Sequence, residues 1–463
     1  MAPHSAVFLF FLLPPAYLLC LLMPGIRWKN RYLTVISLLF YACGQWRGIP
    51  WLLLSVLTAW AAGRLLSGYG AKKPVLTAAL GLNLLLLAGF KYLDFFAGAL
   101  GGLLGTKLPA PHPLLPVGIS FFTFKSMAYV MDVYRNGESA GSFSDVLLYI
   151  SFFPQVTSGP VSRFGQFASQ LAERSMDVER SARGLRRFIA GFAKKALIAG
   201  TLLPVADGAF GLGDGLDFRA AWVGAAAYTL QLYFDFSGYS DMAIGLGTMF
   251  GFDTPENFRY PYISSSITEF WRRWHISLSS WFRDYLYIPL GGGRCSTARK
   301  CFNKAAVFLL CGLWHGANWT FVVWGAWHGL LSALESALPV EKLRKNLPGR
   351  VIGHIYTLLA VCLGFVVFRA PGMGEACRYL GAMLGGGPTP AAALFLERLS
   401  PAVWCAFAAG IVGSTPLWPW LRGKLPEKCW LAAASYAGAA ALFVLSLLAA
   451  AGSGFQPFIY GQF

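Results

Sequence analysis

Apolar residues run along this chain in long blocks, and short basic stretches separate one block from the next. A helix that crosses a bilayer needs about 20 mostly apolar residues. By that measure spans are expected at residues 6–23, 32–44, 49–66, 75–104, 113–131, 185–207, 219–247, 305–331, 352–369, 402–420 and 430–450, roughly eleven crossings in all. Residues 146–162 are apolar too, but Pro154, Gly159 and Pro160 break the run. That stretch reads as re-entrant, a path open to non-helical backbone only where protein or a polar cavity surrounds it. From Gly251 to Lys304, Arg, Glu, Ser and Trp interleave with apolar patches too short to span, which places the segment at the cytoplasmic face or part-way into the membrane. No repeat, low-complexity tract or soluble insert interrupts the pattern. The expected architecture is an all-α polytopic membrane protein with a single domain over 1–463.

Composition agrees: 56% of the 463 residues are hydrophobic and only 13% are charged, an apolar excess that one soluble core cannot hide. The net charge of +17 would point to nucleic acid in a soluble chain. Here the Lys and Arg residues gather between the apolar runs, at Arg27–Arg31, Lys72 with Lys73, Arg180–Lys195, Arg259–Lys304, Lys342–Arg350 and Arg422–Lys428. They therefore read as cytoplasmic topology signals that also attract anionic lipid or a phosphorylated donor, with no nucleic-acid partner. The nine cysteines include no C-x-x-C pair, so neither a disulfide framework nor a metal site is indicated. The first run, from Ala6 to Met23, lacks a preceding basic region and a small-residue cleavage site, and basic residues follow it. It is expected to be a retained span with its N-terminus outside.

Ionisable groups at membrane depth are functional candidates. His315 and His328 lie in Gly312-Leu-Trp-His-Gly-Ala-Asn-Trp-Thr-Phe-Val-Val-Trp-Gly-Ala-Trp-His-Gly329. On one straight helix they would point in different directions, which argues against a two-histidine metal site. His328 has a small neighbour, Gly329, that leaves room for a substrate beside an imidazole suited to general-base work near neutral pH. A second constellation is Glu269-Phe-Trp-Arg-Arg-Trp-His-Ile-Ser-Leu-Ser-Ser-Trp-Phe-Arg-Asp-Tyr285. On a continuous helix Trp271, His275 and Leu278 would stack on one face, and Arg272 and Arg283 would share another. The bland reading is an amphipathic interfacial helix. The sharper one is a basic rim for a phosphate-bearing donor, with His275 at its inner edge. A third group, Gln231-Leu-Tyr-Phe-Asp-Phe-Ser-Gly-Tyr-Ser-Asp241, buries Asp235 and Asp241 in an apolar setting. Such carboxylates are expected to be paired, more for structure than for catalysis.

These segments, with Val7-Phe-Leu-Phe, Gly118-Ile-Ser-Phe-Phe-Thr-Phe, Phe152-Phe-Pro-Gln-Val-Thr-Ser-Gly-Pro160, Pro255-Glu-Asn-Phe258 and Gly312-Leu-Trp-His-Gly316, resemble the membrane-bound O-acyltransferases. The resemblance is to the bacterial branch that acetylates alginate and peptidoglycan and D-alanylates teichoic acids. It implies a ring of tilted helices around a central funnel in the bacterial inner membrane. It maps the catalytic histidine onto His328 and a second active histidine onto His275, and leaves His315 to packing. It further implies acetyl-CoA as the acyl donor, with no permanently bound cofactor. Arg272, Arg273 and Arg283 would then lie near the donor phosphates. The chain ends Pro457-Phe-Ile-Tyr-Gly-Gln-Phe463, which resembles a C-terminal F-x-Y-x-x-F motif of the family and makes Tyr460 a candidate transient acyl carrier to an extracytoplasmic acetyltransferase partner. An aromatic anchor at the interface is the alternative. Two other functions compete: D-alanyl transfer from a carrier protein, against which the long Pro289–Lys304 loop speaks, and a transporter or flippase, for which internal repeats would be expected.

Overall fold

The computed structural model describes residues 3–68, 72–106, 114–137, 140–338, 340, 344, 346–426 and 429–453. Among them all regular secondary structure is helical, with no strand. Five helices are long and apolar enough to cross a membrane, and a sixth is added if Pro390–Glu397 and Pro401–Gly413, bent by 81°, count as one span. The protein is a multi-pass membrane protein. Other expected spans are present as helices that are too short or too polar for that measure. Val7–Leu22 is short, whereas Ile119–Asn136 and Phe218–Met249 are long enough but carry internal charges and hydroxyls.

The described residues fall into two compact units, one containing the chain up to 188 with 239–256, the other 189–238 with the chain from 257 onward. In the first unit, Ile119–Asn136 packs against Ile49–Ser67 and Lys72–Lys91. Ser55 ties the three together, bonding Asn83 Oδ1 at 2.8 Å and Ser126 Oγ at 2.8 Å. Polar contacts of this kind join helices where lipid supplies no hydrophobic drive between them. After the helix Phe143–Ser151, the backbone of residues 152–163 is irregular and almost wholly buried. Its polar groups are met by protein. Lys125 Nζ donates to Gln155 Oε1 at 3.0 Å and to the Tyr149 carbonyl, Tyr149 Oη donates to the Ser162 carbonyl at 2.8 Å, and Phe153 N donates to Ser37 Oγ at 3.1 Å.

The helix Phe218–Met249 contributes to both units. In the first, Asp241 accepts from Arg187 Nε at 2.7 Å, and the same guanidinium grips Glu256 bidentately at 2.9 and 2.6 Å. In the second, Asp235 is paired with Lys195, both side chains being less than a tenth exposed. Both cations come from the basic stretch Arg180–Lys195.

Candidate active site

The segment carrying His275 does not form one helix. Ser266 caps Ile267–Arg273 by accepting from Glu269 N at 3.1 Å, and the helix stops at Arg273. There the Arg273 carbonyl accepts from Arg259 N at 2.9 Å, and the Asn257 carbonyl accepts from Ile276 N at 2.9 Å. Two groups that would continue the helix are thus engaged by the extended stretch before it. His275 takes φ +44° in the left-handed region, and a second helix runs Ile276–Phe282. The stacking of Trp271, His275 and Leu278 on one helical face, and the shared face for Arg272 and Arg283, are corrected by this break.

A left-handed non-glycine residue costs on the order of 1–3 kcal/mol and persists only where its surroundings enforce it. Asn257 does so here. Its Oδ1 accepts from Ser277 N at 3.2 Å and Ser277 Oγ at 2.9 Å, and faces His275 Nδ1 at 3.1 Å. Because that oxygen is an acceptor, Nδ1 carries the proton in the neutral ring, which leaves Nε2 as its basic nitrogen. Burial pushes the His275 imidazole well below its ordinary range, so the ring is neutral at physiological pH. Replacing Asn257 by Ala leaves the buried Ser277 N–H without its acceptor, at an expected cost of about 1–3 kcal/mol. Thermal unfolding in detergent, read beside transfer activity, checks this; an unchanged midpoint with full activity would mean that Asn257 does not hold His275.

The expected span 305–331 is likewise two helices, Thr297–His315 and Trp319–Ala337. Gly316 is extended, and Asn318 Oδ1 accepts from Thr320 N at 3.1 Å to start the second helix afresh. The pair is antiparallel and close: a Cβ on Gly325 would lie 2.5 Å from the Phe308 carbonyl oxygen and 3.3 Å from Gly312 Cα. His315 and His328 pack against the same indole, Trp324, with ring centroids 5.1 Å away in each case.

His328 is fully buried, and neither Nδ1 nor Nε2 has a hydrogen-bond partner among the described residues. Its ring lies edge-on to Trp271, centroid to centroid 5.1 Å, and 6.3 Å from Phe308. A Cβ on Gly364 would sit 2.8 Å from Nε2, so the helix Leu347–Arg369 reaches the imidazole only because it presents a glycine there. Trp327 Nε1 holds that helix in place by donating to the Ala360 carbonyl at 2.9 Å.

Trp271 and Phe308 also line a cavity of about 280 Å³ whose polar lining includes Arg272, Arg283 and Lys304. Arg283 pairs with Asp284 at 2.7 Å, and Lys304 Nζ donates to the Ser332 carbonyl at 3.1 Å. Arg272 has no ion pair among the described residues. Arg273 does not line this cavity. It is engaged with Glu269 at 3.1 Å, whose other oxygen takes Arg344 at 2.6 Å. Burial raises the Glu269 carboxyl, but the Ser265 N–H and the two guanidiniums outweigh it and hold the group below its ordinary range. The geometry thus brings His328, Arg272 and Arg283 around one cavity through Trp271 and Phe308, and sets Arg273 apart. Tyr460 lies outside the described residues.

The cavity thus combines basic side chains with an apolar lining, beside a buried imidazole whose nitrogens have no hydrogen-bond partner among the described residues. Residues 117–338 match the model of MBOAT, the membrane-bound O-acyltransferase family. The chain belongs to this family, and it is an O-acyltransferase. It is 44% identical over 395 residues to a probable alginate O-acetylase of Azotobacter vinelandii, covering 83% of this chain and 78% of that one. A peptidoglycan O-acetyltransferase of Helicobacter pylori is 33% identical over 419 residues, 82% of this chain and 79% of the relative. A teichoic acid D-alanyltransferase of Bacillus subtilis is 29% identical over 403 residues, 80% and 98%.

Proposed function

We propose that the protein, a single membrane domain in the bacterial inner membrane, takes acetyl groups from acetyl-CoA on the cytoplasmic side and delivers them outward for O-acetylation of a cell-envelope polysaccharide. The observation that carries the reading is His328, buried with two unpartnered ring nitrogens beside a cavity lined by Arg272, Arg283 and Lys304. The two arginines and Lys304 attract the donor phosphates. Arg273 supports that rim from its ion pair with Glu269. The acceptor hydroxyl attacks the thioester carbonyl carbon and His328 takes its proton. The tetrahedral adduct then expels the CoA thiolate, which recovers the proton, and an ester remains. His275, neutral and held by Asn257, serves the same reaction from the neighbouring turn.

Tyr460 is the proposed first acceptor, carrying the acetyl ester to an extracytoplasmic transferase partner and splitting one difficult transfer into two easier ones. Acetyl over D-alanyl transfer is favoured by 44% identity to an alginate O-acetylase against 29% to a D-alanyltransferase. Purified protein in nanodiscs, given labelled acetyl-CoA and, separately, a D-alanyl carrier protein, tests both points. Acetyl-CoA is expected to release CoA and label the protein, and Tyr460→Phe is expected to lose the label. Turnover of the D-alanyl carrier alone would replace the donor assignment; label retained in Tyr460→Phe would remove the relay.

A further inference from the structure

A buried indole N–H almost always finds an acceptor, because leaving it bare forfeits the hydrogen bond it had in water. Trp271 departs from this. Its Nε1 is shielded from solvent and has no hydrogen-bond partner among the described residues. Its position is also particular, since the residue lines the cavity that holds Arg272 and Arg283 and its ring stands edge-on to His328, 5.1 Å between centroids. Trp324 Nε1 is bare as well, but that indole is packed between His315 and His328 and does not line the cavity. Trp271 therefore belongs both to the cavity lining and to the packing around the imidazole, and it carries an N–H with no partner among the described residues.

We propose that Trp271 is a catalytic residue whose indole N–H receives the thioester carbonyl oxygen and stabilises the negative charge that develops on it. The inference rests on the reading that an acyl thioester reacts beside His328. When the hydroxyl oxygen bonds to the carbonyl carbon, the carbonyl electron pair moves onto its oxygen, and the hydroxyl proton goes to His328. The oxyanion accepts a hydrogen bond from Trp271 Nε1. Collapse re-forms the carbonyl and breaks the carbon–sulfur bond, and the leaving thiolate takes the proton from His328. A preorganised donor in a site that excludes water gains most of its strength at this moment, because it is aimed at charge that the ground state lacks. Two features of the fold preorganise it. Trp271 stands on the short helix capped by Ser266, and its ring is bracketed by Phe308 at 5.3 Å and Trp324 at 5.5 Å.

The test is Trp271→Phe, which removes the N–H while keeping an aromatic ring, measured for kcat, KM and acetyl-CoA binding in nanodiscs. A fall in kcat of about 10²–10³-fold with donor affinity unchanged is expected, and Trp324→Phe is expected to fall much less. Because a smaller ring also loosens packing, the same measurement is made with 3-benzothienyl-alanine at position 271, which preserves the bicyclic shape and lacks the donor. Full kcat in that variant overturns the proposal, as does a loss confined to Trp324→Phe. His328→Gln, run in parallel, separates the two ideas: an active His328→Gln enzyme removes the underlying reading, whereas an inactive one beside a fully active benzothienyl variant removes the role of Trp271 alone.

Discussion

Transfer activity is expected to fall by about 10²–10⁴-fold when His328 is replaced by Ala, the usual worth of one positioned general base. The proposed thioester donor is already activated, so proton removal from the hydroxyl is the step for which the protein would have to supply a group. His328 touches two of the cavity's lining rings, and its ring nitrogens have no hydrogen-bond partner among the described residues. The effect on stability should be much smaller than the effect on rate. Truncation leaves a void, but it also removes two buried nitrogens without partners, each a burden of about 1–3 kcal/mol. Activity and thermal unfolding of the same detergent-purified variant check both halves. A folded His328→Ala protein with full activity would move the base elsewhere, and His275 would be the first place to look.

The opposite pattern is expected for Lys195→Met. Lys195 and Asp235 form an ion pair with side chains 7% and 2% exposed. Removing one partner of such a pair strands the other charge and costs about 3–5 kcal/mol, whereas replacing both by apolar groups is often neutral. Lys195→Met should therefore lower the unfolding midpoint sharply and reduce the yield of monodisperse protein, and Lys195→Met with Asp235→Leu should restore much of the loss. A single variant as stable as the parent would mean that the pair contributes nothing to the fold. A double variant that recovers stability without activity would give Asp235 a second role beyond structure.

The sequence shows these features unevenly, for physical reasons. Long apolar helices such as Leu347–Arg369 are legible because their composition alone commits them to lipid. The breaks at His275 and at Gly316–Asn318 are masked, because both lie inside stretches of good helical periodicity. The first depends on Arg259 N donating to the Arg273 carbonyl and on Asn257 accepting from Ile276 N, partners far along the chain that no local pattern reveals. The second had a visible signal in Gly316 and the capping residue Asn318, which an apolar-run count overrides. Histidines and arginines stand out by chemical type, which is why His328, Arg272 and Arg283 are legible as candidates. Which arginine turns to a carboxylate instead of the cavity is a matter of tertiary geometry, and Arg273 shows it. Trp271, Trp324 and Gly364 were hidden among many similar residues. Nothing in their identity distinguishes an indole with a bare N–H or a glycine packed on an imidazole from one that merely fills space.

The helix Ile119–Asn136 bears on how the molecule is made. Residues Ile119 to Val133 are all buried, Lys125 and Asp132 among them. Each such charge costs about 2.5–3.5 kcal/mol at the centre of a helix entering the bilayer alone. The groups that satisfy Lys125 are the Tyr149 carbonyl and Gln155, 24 and 30 positions downstream and still inside the ribosome when the helix emerges. Insertion of this segment is thus a delayed event, completed by its neighbours downstream, and a released chain truncated before Tyr149 should hold it poorly integrated and open to quality-control proteolysis.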